Sequence, residues 1–397
     1  MQKAIKGPQL FGFSRSASQF LFLLGFLFSP GSLGQMAALP LWNQCKEAGK
    51  VIKVFKDPTL IEGFSLPAGC QQFRFKIWGS GGGGGAGALR NTNLVDGGYG
   101  GAGAFVELRM SLNTTGTEAI NVKLGDGGGG GPSISVSGTG KIVGNGGGGG
   151  GATFIDLTDA SGTTNTIAIV GGAGGGGGAG ALVDSITNSG GNGAPTKIGS
   201  VSHGDVGISN HSDSFGRGAT GSGVGVAPGP TEGGSSGGSA KNGGQGGSPT
   251  SPNTRGASGG SVAANSGAGG TGGAALNDPD DSASTYAGGG GGGGGAFGAG
   301  GGRVANSGGA GGSGGGAGWS VLYSISSITL VDQCNASGAE PWTACQELPD
   351  GVSDLPTNIA TGGAKGAGKI RNGASGNMSN NPGGKGGQGL VLLYVDR

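Results

Sequence analysis

The chain has 397 residues, of which 106 are glycine and 16 proline, and only 11% are charged. Ordinary globular domains carry roughly a quarter charged residues, so a conventional enzyme core spread over the whole chain is excluded. Collagen is excluded too, because the glycines stand in unbroken runs and not at every third position. A net charge of +1 gives no electrostatic ground for a nucleic acid or an anionic membrane surface as partner. Glycine-rich chains are commonly low-complexity and disordered. Disorder, however, goes with high charge and few aromatic or β-branched residues, whereas this chain has low charge and apolar segments between its runs.

In chain order, Lys3, Lys6 and Arg15 precede an apolar run at 20–28 (FLFLLGFLF), and Pro30, Gly31, Ser32 and Gly34 follow it. A basic region, a short apolar run and a small-residue site make a secretory signal. The expected cut falls after Gly34, giving a signal peptide at 1–34 and a leader at 35–50; an uncleaved N-terminal anchor is the alternative. The run is shorter than the about 20 apolar residues of a membrane span, and no second run of spanning length follows. The mature chain is read as secreted or cell-surface, with no membrane span. Export favours disulfides, and four cysteines allow three pairings. Nearest-neighbour pairing gives Cys45–Cys70 and Cys334–Cys345. These spacings lack the tight cysteine pairs of a zinc site, and the histidines are remote in sequence, so no metal or other cofactor is expected. Sequons stand at Asn113, Asn210, Asn335 and Asn377.

Strand signals then alternate with glycine runs. Residues 51–55 form the first strand candidate, and 63–70 read as a turn with Pro67 and Gly69. At 73–78 (FRFKIW), Phe73, Phe75 and Ile77 fall on one face and Arg74 and Lys76 on the other, the period-2 pattern of a half-buried strand. Residues 104–110 and 119–124 precede the run 127–131. Residues 141–143 precede 146–151, and 152–157 and 166–170 precede 174–178. A long stretch rich in Ser, Asn, Gly and Pro, 184–286, reads as a polar insertion. The longest run, 288–295, and a Gly/Ala segment, 308–318, lead into a strand over 319–331 (WSVLYSISSITLV). Residues 390–395 (LVLLYV) close the chain, and no helical periodicity is sustained anywhere.

A glycine run buries no apolar side chain. Ordering its backbone costs about 1–2 kcal/mol per residue, and one hydrogen bond returns only about 0.5–1.5 kcal/mol net. An ordered run therefore needs its N–H and C=O groups paired and both ends anchored by strands. Missing side chains let runs pack backbone to backbone. Extended threefold helices of the polyproline-II type suit this, because glycine keeps the N–H that proline lacks.

Three stretches carry a resemblance: 65–87 (SLPAGCQQFRFKIWGSGGGGGAG), 146–178 (GGGGGGATFIDL to TIAIVGGAGGGGG), and 287–302 (AGGGGGGGGAFGAGGG) with the closing LVLLYV. The chain resembles the glycine-rich domain of anaplastic lymphoma kinase and leukocyte tyrosine kinase receptor ectodomains. It is also similar to polyglycine segments of phage tail-fibre adhesins and bacterial surface proteins. The resemblance implies an all-β domain over 51–397, a jelly-roll-like β-sandwich framework with an attached polyglycine-II helix bundle. It also implies extracellular recognition.

Catalytic signals are poor. His203 and His211 both lie in the polar stretch, and His211 with Asp213 and Ser214 is triad-like in residue type only. Residues 363–370 (GAKGAGKI) miss a phosphate loop because Ile370 replaces its hydroxyl. Asp278, Asp280 and Asp281 lack the spacing of calcium repeats. The chain is read as no enzyme. Phe73, Phe75, Trp78, Phe105, Phe154, Trp319 and Tyr323 are assigned to the core. Tyr99, Phe215 and Tyr286, set among small residues, are either contact anchors or pins that hold loops to the framework. The first reading is an adhesin or recognition module whose partner is a cell-surface protein or glycan. A structural protein of a matrix, coat or wall is the alternative, and an ice-binding protein follows, lacking a regular Thr array. A homo-oligomer is compatible with each.

Overall fold

The computed structural model describes residues 45, 49–90, 93–133, 135–137, 143–180, 190–199, 290–296, 314–323, 327–336, 352, 355–364, 377–379 and 381–396. The expected signal peptide, most of the polar insertion, His203, His211, Asp278, Asp280 and Asp281 lie outside them. The described part is all-β.

Two antiparallel five-stranded sheets form the framework. The first contains β1 (Val51–Phe55), β3 (Gln72–Trp78), β6 (Phe105–Ser111), β12 (Ile328–Cys334) and β14 (Leu390–Asp396), in the order β1-β14-β3-β6-β12. The second contains β2 (Ile61–Ser65), β7 (Ala119–Lys123), β9 (Thr153–Thr158), β10 (Thr164–Val170) and β11 (Val321–Leu322), in the order β11-β10-β9-β7-β2. Two short pairs complete the strands: β4 (Ala88–Arg90) with β5 (Asn93–Val95), and β8 (Ser135–Ser137) with β13 (Asn377–Ser379).

The expected alternation in β3 is observed. Phe73, Phe75 and Ile77 are fully buried and join Val106, Leu108, Met110, Val391, Leu393 and Val395 in one core. Ile120, Val122, Ile155 and Leu157 enter the same core from the second sheet. Each such side chain removes about 1.5–3 kcal/mol of apolar exposure. β14 is buried on both faces because a second cluster covers its outer side. There Leu390, Leu392 and Tyr394 pack with Trp78, Phe105, Ile359 and Ala360, and the Trp78 and Phe105 rings lie 5.0 Å apart. A Cys45–Cys70 disulfide ties the leader to the turn before β3.

Four expectations are corrected. The stretch read as a turn at 63–70 begins inside β2, and only 68–69 turns, with Gly69 at φ 78. The strand read over 319–331 is broken: Val321–Leu322 joins the second sheet and Ile328–Cys334 the first. Tyr323, at the end of that first piece, is 41% exposed and outside the core, and Trp319 is only partly buried, against Ala152, Phe154, Ile169 and Ala296. Val143 is not in a strand.

The antiparallel order brings one end of the framework together, and there the strands run into glycine. β3 continues into 79–87, β7 into 125–131 and β10 into 171–179. Residues 97–104 lead into β6, 144–151 into β9, 314–318 towards β11 and 381–389 into β14. These segments form a block held by backbone hydrogen bonds that repeat every third residue. In 79–87, the N–H groups of Gly79, Gly82 and Gly85 donate to Ala104, Gly101 and Gly98. Those of Gly83 and Ala86 donate to Gly148 and Asn145, and those of Gly81, Gly84 and Gly87 to Gly387, Gly384 and Asn381, all at 2.8–3.1 Å. Its carbonyls accept in the same rhythm: Ser80, Gly83 and Ala86 from Ala173, Gly176 and Ala179, Gly81 and Gly84 from Gly128 and Gly131, and Gly82 from Gly363. Segment 79–87 is thus bonded to six others, three as donor and three as acceptor.

Segment 171–179 repeats this arrangement. It donates to 80–86, to Gly191 and Ala194, and to Gly291 and Gly294, and it accepts from 98–101, 144–150 and 315–318. Residues 190–196, from the start of the polar stretch, belong to this block.

Candidate interaction surface

At many of its glycines the interior of the block leaves no room for a side chain. A Cβ on Gly82 would stand 2.0 Å from the Gly174 carbonyl oxygen, and one on Gly85 2.0 Å from that of Gly177. These neighbours are backbone and cannot swing aside. Alanine stands at Ala86, Ala173 and Ala179, all fully buried.

Side chains reach solvent at one face, built from 125–132, 358–364 and 381–388. Segment 381–388 lies between the others, donating from Gly383 and Gly386 to Gly131 and Gly128, and from Gly384 and Gly387 to Ala364 and Thr361. The threefold repeat turns every third residue outward. Asp126, Gly129 and Pro132 are exposed on the first segment, Pro382 and Lys385 on the second, and Asn358 and Ala364 on the third. Lys385 Nζ and Asp126 Oδ1 bridge two ridges at 3.0 Å, both well exposed. A Cβ on Gly129 would meet nothing within 4 Å, so this face is open.

A second polar surface lies on the outer side of the first sheet. Arg74 Nη1 stands 3.4 Å from Glu107 Oε1, Lys76 Nζ 3.7 Å from Glu107 Oε2, and Arg109 Nη2 2.9 Å from Asp396 Oδ2. The Arg74 guanidinium sits 4.8 Å from the Tyr394 ring centroid. Burial raises the Tyr394 hydroxyl above its ordinary pKa, against the lowering by Arg74. Three cations thus share two carboxylates across β6, β3 and β14. Among the described residues, no group of three or more His, Cys, Asp or Glu is placed to hold a metal.

Tyr99 is half-buried in the block. Its N–H donates to Asn192 Oδ1 at 3.0 Å and its carbonyl accepts from Gly193 at 2.7 Å. Phe215 and Tyr286 lie outside the described residues, so the structure brings no cluster of the three together. Cys334 carries a free thiol at the end of β12, 3.7 Å from the Asn335 carbonyl. Cys345, its expected partner, lies outside the described residues. Sequon residue Asn113 is exposed, whereas Asn335 is engaged by the Ile198 N–H at 2.6 Å. The exposed ridges escaped the sequence reading, because composition shows glycine spacing but not which runs become neighbours.

The sequence matches no family model and no curated protein. Among the described residues, no helix is long and apolar enough to cross a membrane.

Proposed function

We propose that this chain is an exported, non-enzymatic surface module, an adhesin or recognition protein that contacts a cell-surface protein or glycan. The glycine block is its mount: a polyglycine-II bundle on a jelly-roll-like sandwich, as in the glycine-rich receptor domains and tail-fibre adhesins that the sequence resembles. The observation that carries this reading is the six-neighbour hydrogen bonding of 79–87 and 171–179. A backbone paired on every side is rigid and poorly accessible to proteases, and loops set on a rigid scaffold are where binding residues concentrate. The Cys45–Cys70 bond fits an oxidising exterior.

Binding of the labelled full chain to intact cells tests the proposal. Saturable binding is expected, together with its loss when Tyr99, Phe215 and Tyr286 are all replaced by alanine while thermal stability is kept. Deposition that never saturates and ignores the triple replacement would overturn it in favour of the matrix or coat reading.

A further inference from the structure

The two lateral edges of the framework are built differently. The sheet orders place β1 and β2 at one edge and β11 and β12 at the other. At the first edge, Lys53 lies opposite Leu393 and Glu62 opposite Val122, both partners being core residues. Lys53 and Glu62 therefore face inward from the two sheets, and their 2.9 Å ion pair closes the gap between them.

At the other edge, among the described residues, closure is confined to the end beside the glycine block, where Ile198 sits in the core, bridges Ser320 and donates its N–H to Asn335 Oδ1. Ile328 and Leu330 lie opposite Met110 and Leu108, again core residues. β11 spans only Val321–Leu322; Leu322 and Ile328 pack against the core, but Leu330, further along β12, is 43% exposed. Val331, at the register shift between Leu330 and Asp332, is 46% exposed. Natural edge strands are usually guarded by lysine, proline or a covering element. β12 (ITLVDQC) contains neither residue; its guards are the register shift between Leu330 and Asp332 and the single charge of Asp332.

All the exposed large apolar side chains among the described residues sit at these two edges. Tyr323, Leu330 and Val331 occupy the β11–β12 edge, and Leu60 and Ile61 the β1–β2 edge. The charges are complementary. The β1–β2 edge and its turn carry Lys50, Lys53 and Lys56, with Lys123 on the neighbouring β7, against Asp57 and Glu62, whereas among the described residues β11 and β12 carry only Asp332.

From this pairing we infer that the β11–β12 edge of one copy docks on the β1–β2 edge of a second copy. Both halves of the match lie on one chain, at opposite edges, so the contact is head-to-tail and adds copies in a row unless the rotation closes a ring. The inference does not depend on the recognition reading: a row of copies makes an adhesin multivalent and equally serves a coat.

Sedimentation velocity of the full chain over a concentration series tests it. The expected mass grows with concentration and falls back as salt is raised, because screening weakens exposed charge pairs. Val331→Lys and Ile61→Lys should each stop the growth. An equimolar mixture of the two should give a one-to-one dimer and nothing larger, since each variant retains the edge the other has lost. Asp332→Lys, a change at an exposed position, provides a check in which folding is not at stake, and it should weaken association. A wild-type chain that stays monomeric at every concentration would overturn the inference. So would persistent dimers of Ile61→Lys, which would indicate two-fold pairing of β12 with itself.

Discussion

The framework and the glycine block hold together by opposite means. In the framework, side chains interdigitate: Phe73, Phe75, Ile77 and Leu393 are fully buried between two sheets, and hydrogen bonds follow the strand ladders. In the block there is nothing to interdigitate. Segments 79–87 and 171–179 each make hydrogen bonds to six neighbours, and the chains approach so closely that a Cβ would overlap a carbonyl. The energies differ accordingly. Ordering one backbone residue costs about 1–2 kcal/mol, and one hydrogen bond returns about 0.5–1.5 kcal/mol net. The block is therefore near balance at best. Its order depends on the strands that hold the ends of its segments, and on neighbours packing together all at once.

Substitutions sharpen this contrast, beginning with the largest. Gly82→Ala places a methyl 2.0 Å from the Gly174 oxygen, with backbone on every side. A cost of about 4 kcal/mol or more is expected, the range of exceptional single substitutions, while Gly129→Ala, in open space, should stay within about 0.5 kcal/mol of wild type. Denaturant midpoints of the two variants check the pair. Equal effects would mean that close backbone packing is not what excludes side chains.

Phe75→Ala attacks the other region and should cost about 3–5 kcal/mol. If the block depends on its strand anchors, its amides should lose protection together with those of β3 in this variant, and hydrogen exchange reads both. Replacing Cys45 and Cys70 together by alanine should cost about 2–4 kcal/mol, seen as a lower melting temperature that reducing agent no longer shifts.

A smaller effect comes from Glu118, in the turn between β6 and β7. Burial pushes its carboxyl up, but its own backbone, the Thr115 N–H and hydroxyl and the Gly116 N–H outweigh that and hold its pKa below the ordinary glutamate value. Gly116 reaches this geometry at φ 94. Because the folded-state pKa is the lower one, the stabilisation is complete above the unfolded value and lost as pH falls through the folded one. Melting temperature should thus fall more on acidification in wild type than in Glu118→Gln.

Much of the framework was legible in the sequence, for reasons that can be named. β3 shows its alternation openly, and the unbroken LVLLYV of β14 reflects burial on both faces. β2 (IEGFS) escaped because glutamate, glycine and serine mask its period, and Glu62 faces inward only through its pairing with Lys53. The run over 319–331 looks continuous because both pieces are strand-forming, and a change of sheet leaves no mark in composition. For the glycine runs, elementary energetics gave the need for paired backbones and a threefold repeat. It could not give which runs become neighbours, since that follows from strand order. The open face of Asp126, Lys385 and Asn358 was hidden for the same reason. Tyr99 was visible as an aromatic among small residues, but its half-burial within the block was not.

The central claim is that the glycine segments are fixed by their own backbone hydrogen bonds. Amide hydrogen exchange on peptides covering 79–87 and 171–179 tests it most directly. The account predicts protection lasting minutes to hours, comparable with that of β3 and lost together with it. Exchange at the rate of a free glycine peptide would contradict it.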